Sequence, residues 1–394
     1  MLNYTHVEII ALDQQYIMNT YGRYPLVPKC GKGAVMTDAD GKEYVDFGSG
    51  IGVNALGYSN DKWVEAVTEQ LKSFQHVSNY FYCPSASIVA SKLVPISGLS
   101  KMFFGNSGAE ANEGAIKVAR KYSSDKYGKD RYTIITLVNS FHGRTVTTLS
   151  ATGQDVFHQY FDPFTTGFKH VPINDLEALK AELTDDVCAI MCEPIQGEGG
   201  VNLMDEAYAK EVRKLCDEKD LLLMFDEVQC GIGRTGTMFA YQQLGVTPDV
   251  VTLAKGLGGG LPIGAFICSE KCASVLGRSQ HGTTFGANPV SNAGAVAVLE
   301  ALTDEFLAEV TAKGEYIRKA VASWNLPCVK DIRGRGLMIG VQVDCDPHDI
   351  GTKCFNSGLL ILSAGKDVVR MLPPLNITYE EIDRGLAILK DCMG

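Results

Sequence analysis

The sequence predicts an α/β protein: a mostly parallel central sheet with helices on both faces, joined to a smaller α+β domain. Three observations carry this. Short apolar runs recur through the middle of the chain, at Lys101–Phe104, Tyr132–Val138, Val187–Cys192, Leu221–Phe225, Val250–Leu253 and Gly264–Cys268, as strands buried on both faces do. Helical patterns alternate with them, the order of βαβ units. Toward the C-terminus the texture changes to a charged helical stretch and short, isolated strands.

In chain order, the stretch 1–60 is turn-rich, with Asp40-Gly41 and Gly48-Ser49-Gly50, and is expected to pack against the small domain. Residues 61–300 are expected as the large domain. Within it Ala111, Ala115, Val118, Ala119 and Tyr122 share one helical face. Asn288-Pro289 reads as a helix start, Asn as cap and Pro in the first turn, of a helix running to about Leu302. Residues 301–394 are expected as the small domain. There a charged helix over Glu305–Ser323 leads to strands at Leu337–Val343 and Val368–Leu372. A last helix opens on the capping box Thr378 to Glu381.

Composition bounds the class. With 394 residues, 45% hydrophobic and 21% charged, the chain can bury a substantial core in one large and one smaller domain. A net charge of −10 without basic runs argues against nucleic acid or an anionic membrane as partner. The twelve cysteines are scattered through apolar stretches, without zinc spacing. They are expected as small buried hydrophobes in a reducing compartment, and no metal site is expected. Met1–Gln15 shows no leader pattern and no apolar run reaches membrane-spanning length, so a cytoplasmic location is expected.

Ligands of open α/β sheets bind outside the carboxyl ends of the strands, so the residues just past each run matter most. After Phe104 comes Gly105-Asn106-Ser107-Gly108-Ala109 and then a helix, a turn that offers free N–H groups and a hydroxyl to an anion. After Val138 comes Phe141-His142-Gly143-Arg144, able to stack on a flat ring and clamp a carboxylate. Glu193 follows Cys192, and Asp226 follows Phe225. Asp226 could pair with a protonated ring nitrogen, could ligate Mg²⁺, or could simply cap. Lys255 follows Leu253-Ala254 and precedes Gly256, where partial desolvation lowers an amine's pKa and makes it a Schiff-base nucleophile. Taken singly, each has an ordinary explanation as a turn, a cap or a solvated charge. Together they place an anion cradle, a stacking ring, an acid for a ring nitrogen and a nucleophilic lysine on one rim, the set that pyridoxal 5′-phosphate demands.

One competing motif is present. Gly231-Ile232-Gly233-Arg234-Thr235-Gly236 matches the dinucleotide-binding pattern, but four residues separate it from the preceding strand end, so it is expected to be a coincidence.

The chain resembles the class-III (ω-amino) aminotransferases of fold type I over almost its whole length. The resemblance runs from Gly41-Lys42-Glu43-Tyr44-Val45-Asp46-Phe47 through Asn106–Glu113, Phe141–Thr145, Glu193–Glu198, Phe225–Gln229 and Ala254-Lys255-Gly256 to His281–Pro289. It implies that Lys255 holds pyridoxal 5′-phosphate and shuttles a proton, that Asp226 holds the pyridine nitrogen, and that Gln229 lies near the ring hydroxyl. It further implies that Phe141 stacks on the ring with His142 beside it, and that Ser107, Gly108 and Ala109 hold the phosphate. Thr284 is implied to reach the phosphate of a neighbouring subunit, which makes a homodimer with shared sites. Arg144 and Arg370 are implied as carboxylate clamps, with Glu193 pairing with Arg370 while the amino donor is bound and releasing it for 2-oxoglutarate. Tyr24 and Asn79 are expected near the entrance. Arg370 also stands on its own chemistry, since a lone Arg in an apolar strand needs an anionic partner, supplied by the small domain or by a substrate.

Two departures from the family pattern are Tyr58-Ser59-Asn60-Asp61 after Leu56-Gly57 and Cys230 where many relatives have Thr; either could tune the active-site mouth or a dimer contact. Within the class, Phe141-His142-Gly143-Arg144 fits enzymes of acylated ornithine better than enzymes of free ornithine, which more often carry Trp at the position of His142. Succinylornithine, 4-aminobutyrate and N-succinyl-diaminopimelate remain alternative donors, a mutase or decarboxylase of the same fold an alternative reaction, and an NAD-dependent oxidoreductase an alternative class.

Overall fold

A computed structural model of the chain describes residues 4–394. Its centre is a seven-stranded sheet. In chain order the strands are β1 (Lys101–Gly105), β2 (Thr133–Leu137), β3 (Phe168–Val171), β4 (Val187–Cys192), β5 (Leu222–Asp226), β6 (Val250–Leu253) and β7 (Gly264–Cys268). The spatial order is β1-β7-β6-β5-β4-β2-β3, with β7 antiparallel to both neighbours and the others mutually parallel. Strands β2, β4, β5, β6 and β7 are buried along their whole length, which is why they read as unbroken apolar runs. Strand β3, Phe-Lys-His-Val, has no apolar run to announce it. It is an edge strand, mostly half-buried, so its pattern carries a charge in mid-run.

The expected helices form with their caps. The long helix after β1, Gly108–Tyr127, buries Ala111, Ala115, Val118 and Ala119 against the sheet. The Asn288 side chain accepts from the backbone N–H groups of Val290 and Ser291 and opens the helix Pro289–Ala301. Thr378 and Glu381 form the capping box of Tyr379–Met393, with both reciprocal bonds present. The Glu381 carboxylate also accepts from the N–H of Ala34, tying the N-terminal stretch to the last helix.

The C-terminal part is a four-stranded antiparallel sheet: Val329–Arg335, Met338–Val343, Val368–Met371 and Leu362–Ala364. The helices Asp304–Ser323, Pro347–Asn356 and Tyr379–Met393 pack with this part. Near the N-terminus, Pro28–Lys32, Val35–Asp38 and Glu43–Asp46 form a small sheet whose fourth strand is Leu359–Leu360 from the C-terminal part. Strand pairing across more than 300 residues of sequence thus joins the two ends of the chain. Among the described residues no helix is long and apolar enough to cross a membrane.

Tyr58 belongs to this framework rather than to the active-site mouth. Its hydroxyl donates to Asp46 Oδ2 at 2.6 Å, and its ring packs where a Cβ on Gly31 would sit.

Candidate active site

The carboxyl ends of β1, β2, β4, β5 and β6 open into one cavity of about 480 Å³. Ser107, Gly108, Ala109, Phe141, His142, Arg144, Glu193, Asp226, Gln229 and Lys255 all line it. The structure therefore brings together ten of the residues singled out from the sequence. Thr284 and Arg370 are outside this lining.

At the floor, Asp226 is the last residue of β5 and its carboxylate is 3% exposed. Oδ2 accepts from Asn112 Nδ2 at 2.7 Å and from His142 Nδ1 at 2.8 Å, while Oδ1 accepts from the N–H of Val228 at 3.0 Å. Burial alone would raise this carboxyl, but the three donors, His142 foremost, hold it below the usual carboxylate range. Asp226 thus keeps a negative charge at a site shielded from water. The Asn112 amide also donates to the His142 carbonyl and accepts from Thr252 Oγ1, both at 2.7 Å, so Thr252 fixes Asn112 and Asn112 holds the His142 backbone beside Asp226. In the sequence Asn112 stands out only as one member of the Asn106–Glu113 motif. The signal available for its role was a polar residue on the buried face of an otherwise Ala-rich helix.

Lys255 starts a 3₁₀ turn directly after β6 with a backbone φ of +41°, in the left-handed region. That conformation costs roughly 1 kcal/mol for an L residue and is retained where a site over-determines it. Burial lowers the amine below the ordinary lysine range; Glu198 and Asp226 oppose that shift and Arg370 adds to it. A depressed amine pKa enlarges the neutral, nucleophilic fraction at neutral pH.

On the wall, Ser107 caps the helix Gly108–Tyr127 by accepting from the N–H of Glu110 at 3.2 Å. The helix N-terminus faces the cavity, where its backbone N–H groups can meet an anion, and a Cβ on Gly108 would meet Val228 Cγ1 at 2.7 Å, so the close packing there requires Gly. The anion cradle, the anionic Asp226 and the lowered Lys255 amine fit the phosphate, the ring nitrogen and the aldehyde of pyridoxal 5′-phosphate.

The expected Glu193–Arg370 pair does not form. Glu193, at the end of β4, is 4% exposed and turns inward, where it accepts from the N–H groups of Phe141 at 2.9 Å and Gly197 at 3.1 Å. Burial pushes its carboxyl up to about 7, opposed by His142 and reinforced by Asp226. The partner of Arg370 is Glu198, five residues on, past the turn at Gly197. Arg370 Nη1 and Nη2 donate to its two carboxylate oxygens at 2.7 and 3.1 Å, a bidentate pair. Burial would raise the Glu198 carboxyl, but the Arg370 guanidinium holds it below the usual range. Gln229 joins this pair: Nε2 donates to Glu198 at 3.1 Å and Oε1 accepts from Arg370 at 2.9 Å. The sequence offered two carboxylates in Glu193–Glu198 and no means of telling which faces the C-terminal sheet.

The mouth is less complete. Arg144 is exposed, and no ion pair or hydrogen bond holds its guanidinium among the described residues. Thr284 is exposed, on a loop held by Asn79 Nδ2, which donates to the carbonyls of Thr283 at 3.2 Å and Gly286 at 3.0 Å. Asn79 therefore anchors that loop instead of lining the entrance. Tyr24 stacks on Phe355 at 4.8 Å and borders a separate cavity of about 240 Å³ beside the helix His6–Tyr16. Cys230 is buried against Ile195, Val201, Met338 and Leu372, away from the mouth.

The Gly231–Gly236 loop opens no helix. It is a run of turns, and its Arg234, 3% exposed, donates to the carbonyls of Leu337 and Pro373. It pins the two parts of the chain together and leaves no room for a dinucleotide. Among the described residues no cluster of three or more His, Cys, Asp or Glu side chains could hold a metal ion.

Comparison with known proteins agrees with this geometry. The family model described as aminotransferase class-III matches residues 16–393. The acetylornithine aminotransferase of Haemophilus ducreyi is 55% identical, over 99% of this chain and 99% of its own length. The crystal structure of N-acetylornithine aminotransferase from Stenotrophomonas maltophilia superposes with a TM-score of 0.83 at 38% identity, covering 97% of this chain and 98% of that one. The ornithine aminotransferase of Toxoplasma gondii, whose structure shows partial occupancy of PLP at its active site, superposes at 0.93 with 34% identity over 99% of this chain and 94% of that one.

Proposed function

We propose, from the premise that the chain belongs to the class-III aminotransferases, that it transfers the terminal amino group of N-acetylornithine to 2-oxoglutarate, yielding N-acetylglutamate 5-semialdehyde and glutamate, a step of arginine biosynthesis. The observation that carries the reaction type is the lowered amine of Lys255 beside the anionic Asp226, in one cavity with the Gly108 cradle. The donor comes from the relatives: acetylornithine aminotransferases match at 55% and 49% identity over nearly the whole chain.

Pyridoxal 5′-phosphate, when bound, supplies an electron sink for the carbon that carries the donor amine. The residues of the chain do the rest. Lys255 Nζ would take a proton from that carbon and deliver it to the carbon of the cofactor's aldehyde group, and the desolvated surroundings keep the amine neutral enough to do so. Asp226 holds positive charge on the ring nitrogen, fixed in place by Asn112 and His142. Ser107, Gly108 and Ala109 hold the phosphate, and Phe141 stacks on the ring. Glu198 neutralises Arg370 while an ω-amine donor is bound. Turned away, it leaves Arg370 free for the α-carboxylate of 2-oxoglutarate. Arg144 takes the distal carboxylate at the mouth.

The same reading makes the enzyme a homodimer, with Thr284 completing the partner's phosphate site. The loop beside Thr284 shows Phe285 at 61% exposure, and Tyr80, Phe81 and Tyr82 are 95%, 70% and 100% exposed, an apolar surface of the kind that subunits cover. It also takes residues 61–300 as the cofactor-binding domain and places the enzyme in the cytoplasm, in keeping with the nine buried cysteines that act as core hydrophobes.

The test is an absorption scan of purified enzyme, repeated after N-acetylornithine and then after 2-oxoglutarate. Loss of the visible cofactor band with the donor and its return with the oxo acid is expected. A band unmoved by N-acetylornithine removes the donor assignment, and no band after pyridoxal phosphate is supplied removes the role of Lys255.

A further inference from the structure

Arg144 is exposed and, among the described residues, without an anionic partner, yet its guanidinium is not free to wander. Its central carbon lies 4.0 Å from the ring centroid of Phe157 and 5.6 Å from that of Phe141. The two rings meet edge to face at 6.0 Å and 79°, so Arg144 is held at an aromatic corner. Phe157 comes from a different loop, the 3₁₀ turn Asp155–Phe157, which no motif in the sequence pointed to. That loop is tied to the Phe141 loop by Gln154 Nε2, which donates to the Ser140 carbonyl at 3.0 Å.

A guanidinium over an aromatic ring keeps its N–H donors available, because a cation–π contact uses the charge over the ring and spends no donor on a hydrogen bond. A carboxylate clamp needs those in-plane donors for bidentate contact. An unsupported Arg on a surface loses side-chain entropy when it is ordered by a substrate, and a prior stack removes part of that cost. The position suits a substrate whose amine or oxo carbon lies at the floor near Lys255, because its far carboxylate then falls at the mouth.

We infer, on the clamp reading of Arg144, that Phe157 is a positioning residue for substrate binding: its ring orders the Arg144 guanidinium for the distal carboxylate of both the amino donor and the oxo acid. Phe157 itself touches no reacting atom. It sets how readily Arg144 is found in its binding geometry and so acts on kcat/KM for both half-reactions while leaving kcat nearly unchanged.

The experiment is a double-mutant cycle on the holoenzyme with F157A, R144A and F157A/R144A, using N-acetylornithine and 2-oxoglutarate. F157A is expected to lower kcat/KM for each substrate about 5-fold, through KM, as loss of one cation–π stack allows. F157W and F157Y, which keep a ring face, are expected to stay within about 2-fold of wild type. In the R144A background F157A should add nothing. If F157A costs the same with and without Arg144, or lowers kcat instead of raising KM, Phe157 acts by some other route and the inference is wrong. If R144A itself leaves kcat/KM unchanged, the clamp reading of Arg144 fails first, and this outcome is distinct from a failure of Phe157 alone.

Discussion

The floor and the mouth of this cavity are built differently. At the floor the Asp226 carboxylate is satisfied on both oxygens by neighbours held on or just past regular structure: Asp226 ends β5, Asn112 sits on the helix after β1, and His142 follows β2. At the mouth Arg144 and Thr284 are exposed, and among the described residues the side chain of Arg144 is ordered by two rings alone. Groups that must be charged before substrate arrives are held by the fold. Groups that meet a substrate or a second subunit are left for that partner to complete. Beside the cavity, joined to it through Gln229, is the Arg370–Glu198 pair, held by a contact that a carboxylate-bearing substrate can replace.

If the floor is the prepared half, disruption there should cost the most. Lys255→Ala is expected to lower turnover by at least about 10³-fold, because one side chain supplies both the nucleophile and the proton carrier, and to abolish the visible band of bound cofactor. Residual turnover within about tenfold of wild type would remove Lys255 from the chemistry. Asp226→Asn keeps the shape and loses the charge. A fall of about 10²-fold in kcat is expected, with pyridoxal phosphate still bound, since a fixed counter-charge acts most strongly where water is excluded. Unchanged kcat would mean that the negative charge is not what the site uses.

The Arg370–Glu198 pair offers a sharper test, since it separates two carboxylates five residues apart. Glu198→Gln removes the charge that neutralises Arg370, leaving the guanidinium free to capture an α-carboxylate at all times. The preference for glutamate over N-acetylornithine as donor should rise about 10-fold, read as the ratio of their kcat/KM values. Glu193→Gln should leave that ratio unchanged, because Glu193 bonds two backbone N–H groups and not Arg370. The opposite result would restore Glu193 to the gate.

Legibility followed the same division. Strands buried on both faces and helices with side-chain caps were readable because local sequence determines them; the β5 strand, the Asn288 cap and the Thr378–Glu381 box formed at the expected places to within a residue or two. Residues at strand ends could be gathered to one rim by the rule that ligands bind there, and ten of them line the cavity. Edge strand β3 was hidden because half-exposure admits a charge. Which carboxylate meets Arg370, which ring supports Arg144, and what Tyr58 and Asn79 touch depend on how distant segments dock. No periodicity within a segment encodes that.

The last effect sought is in stability, and it separates the two kinds of buried acid lining the cavity. Asp226 is held below its ordinary value and stays ionised through the neutral range, so it contributes no slope there. Glu193 is raised from 4.5 to about 7, mainly by burial. The folded protein therefore holds a proton on Glu193 between about pH 4.5 and 7 that the unfolded chain has already released. Stability associated with this group is fully present below the unfolded value and is lost as pH rises through the folded one, by at most about 3 kcal/mol across the interval. The melting midpoint of the cofactor-free enzyme should fall between pH 5 and 8, and Glu193→Gln, which cannot ionise, should flatten that fall. The amide turns a donor toward one of two backbone N–H groups and lowers the midpoint at every pH, so the slope carries the result and the absolute value does not. Parallel slopes for the two proteins would mean that Glu193 is ionised throughout, and that the donors from Phe141 and Gly197 outweigh its burial as the donors to Asp226 do.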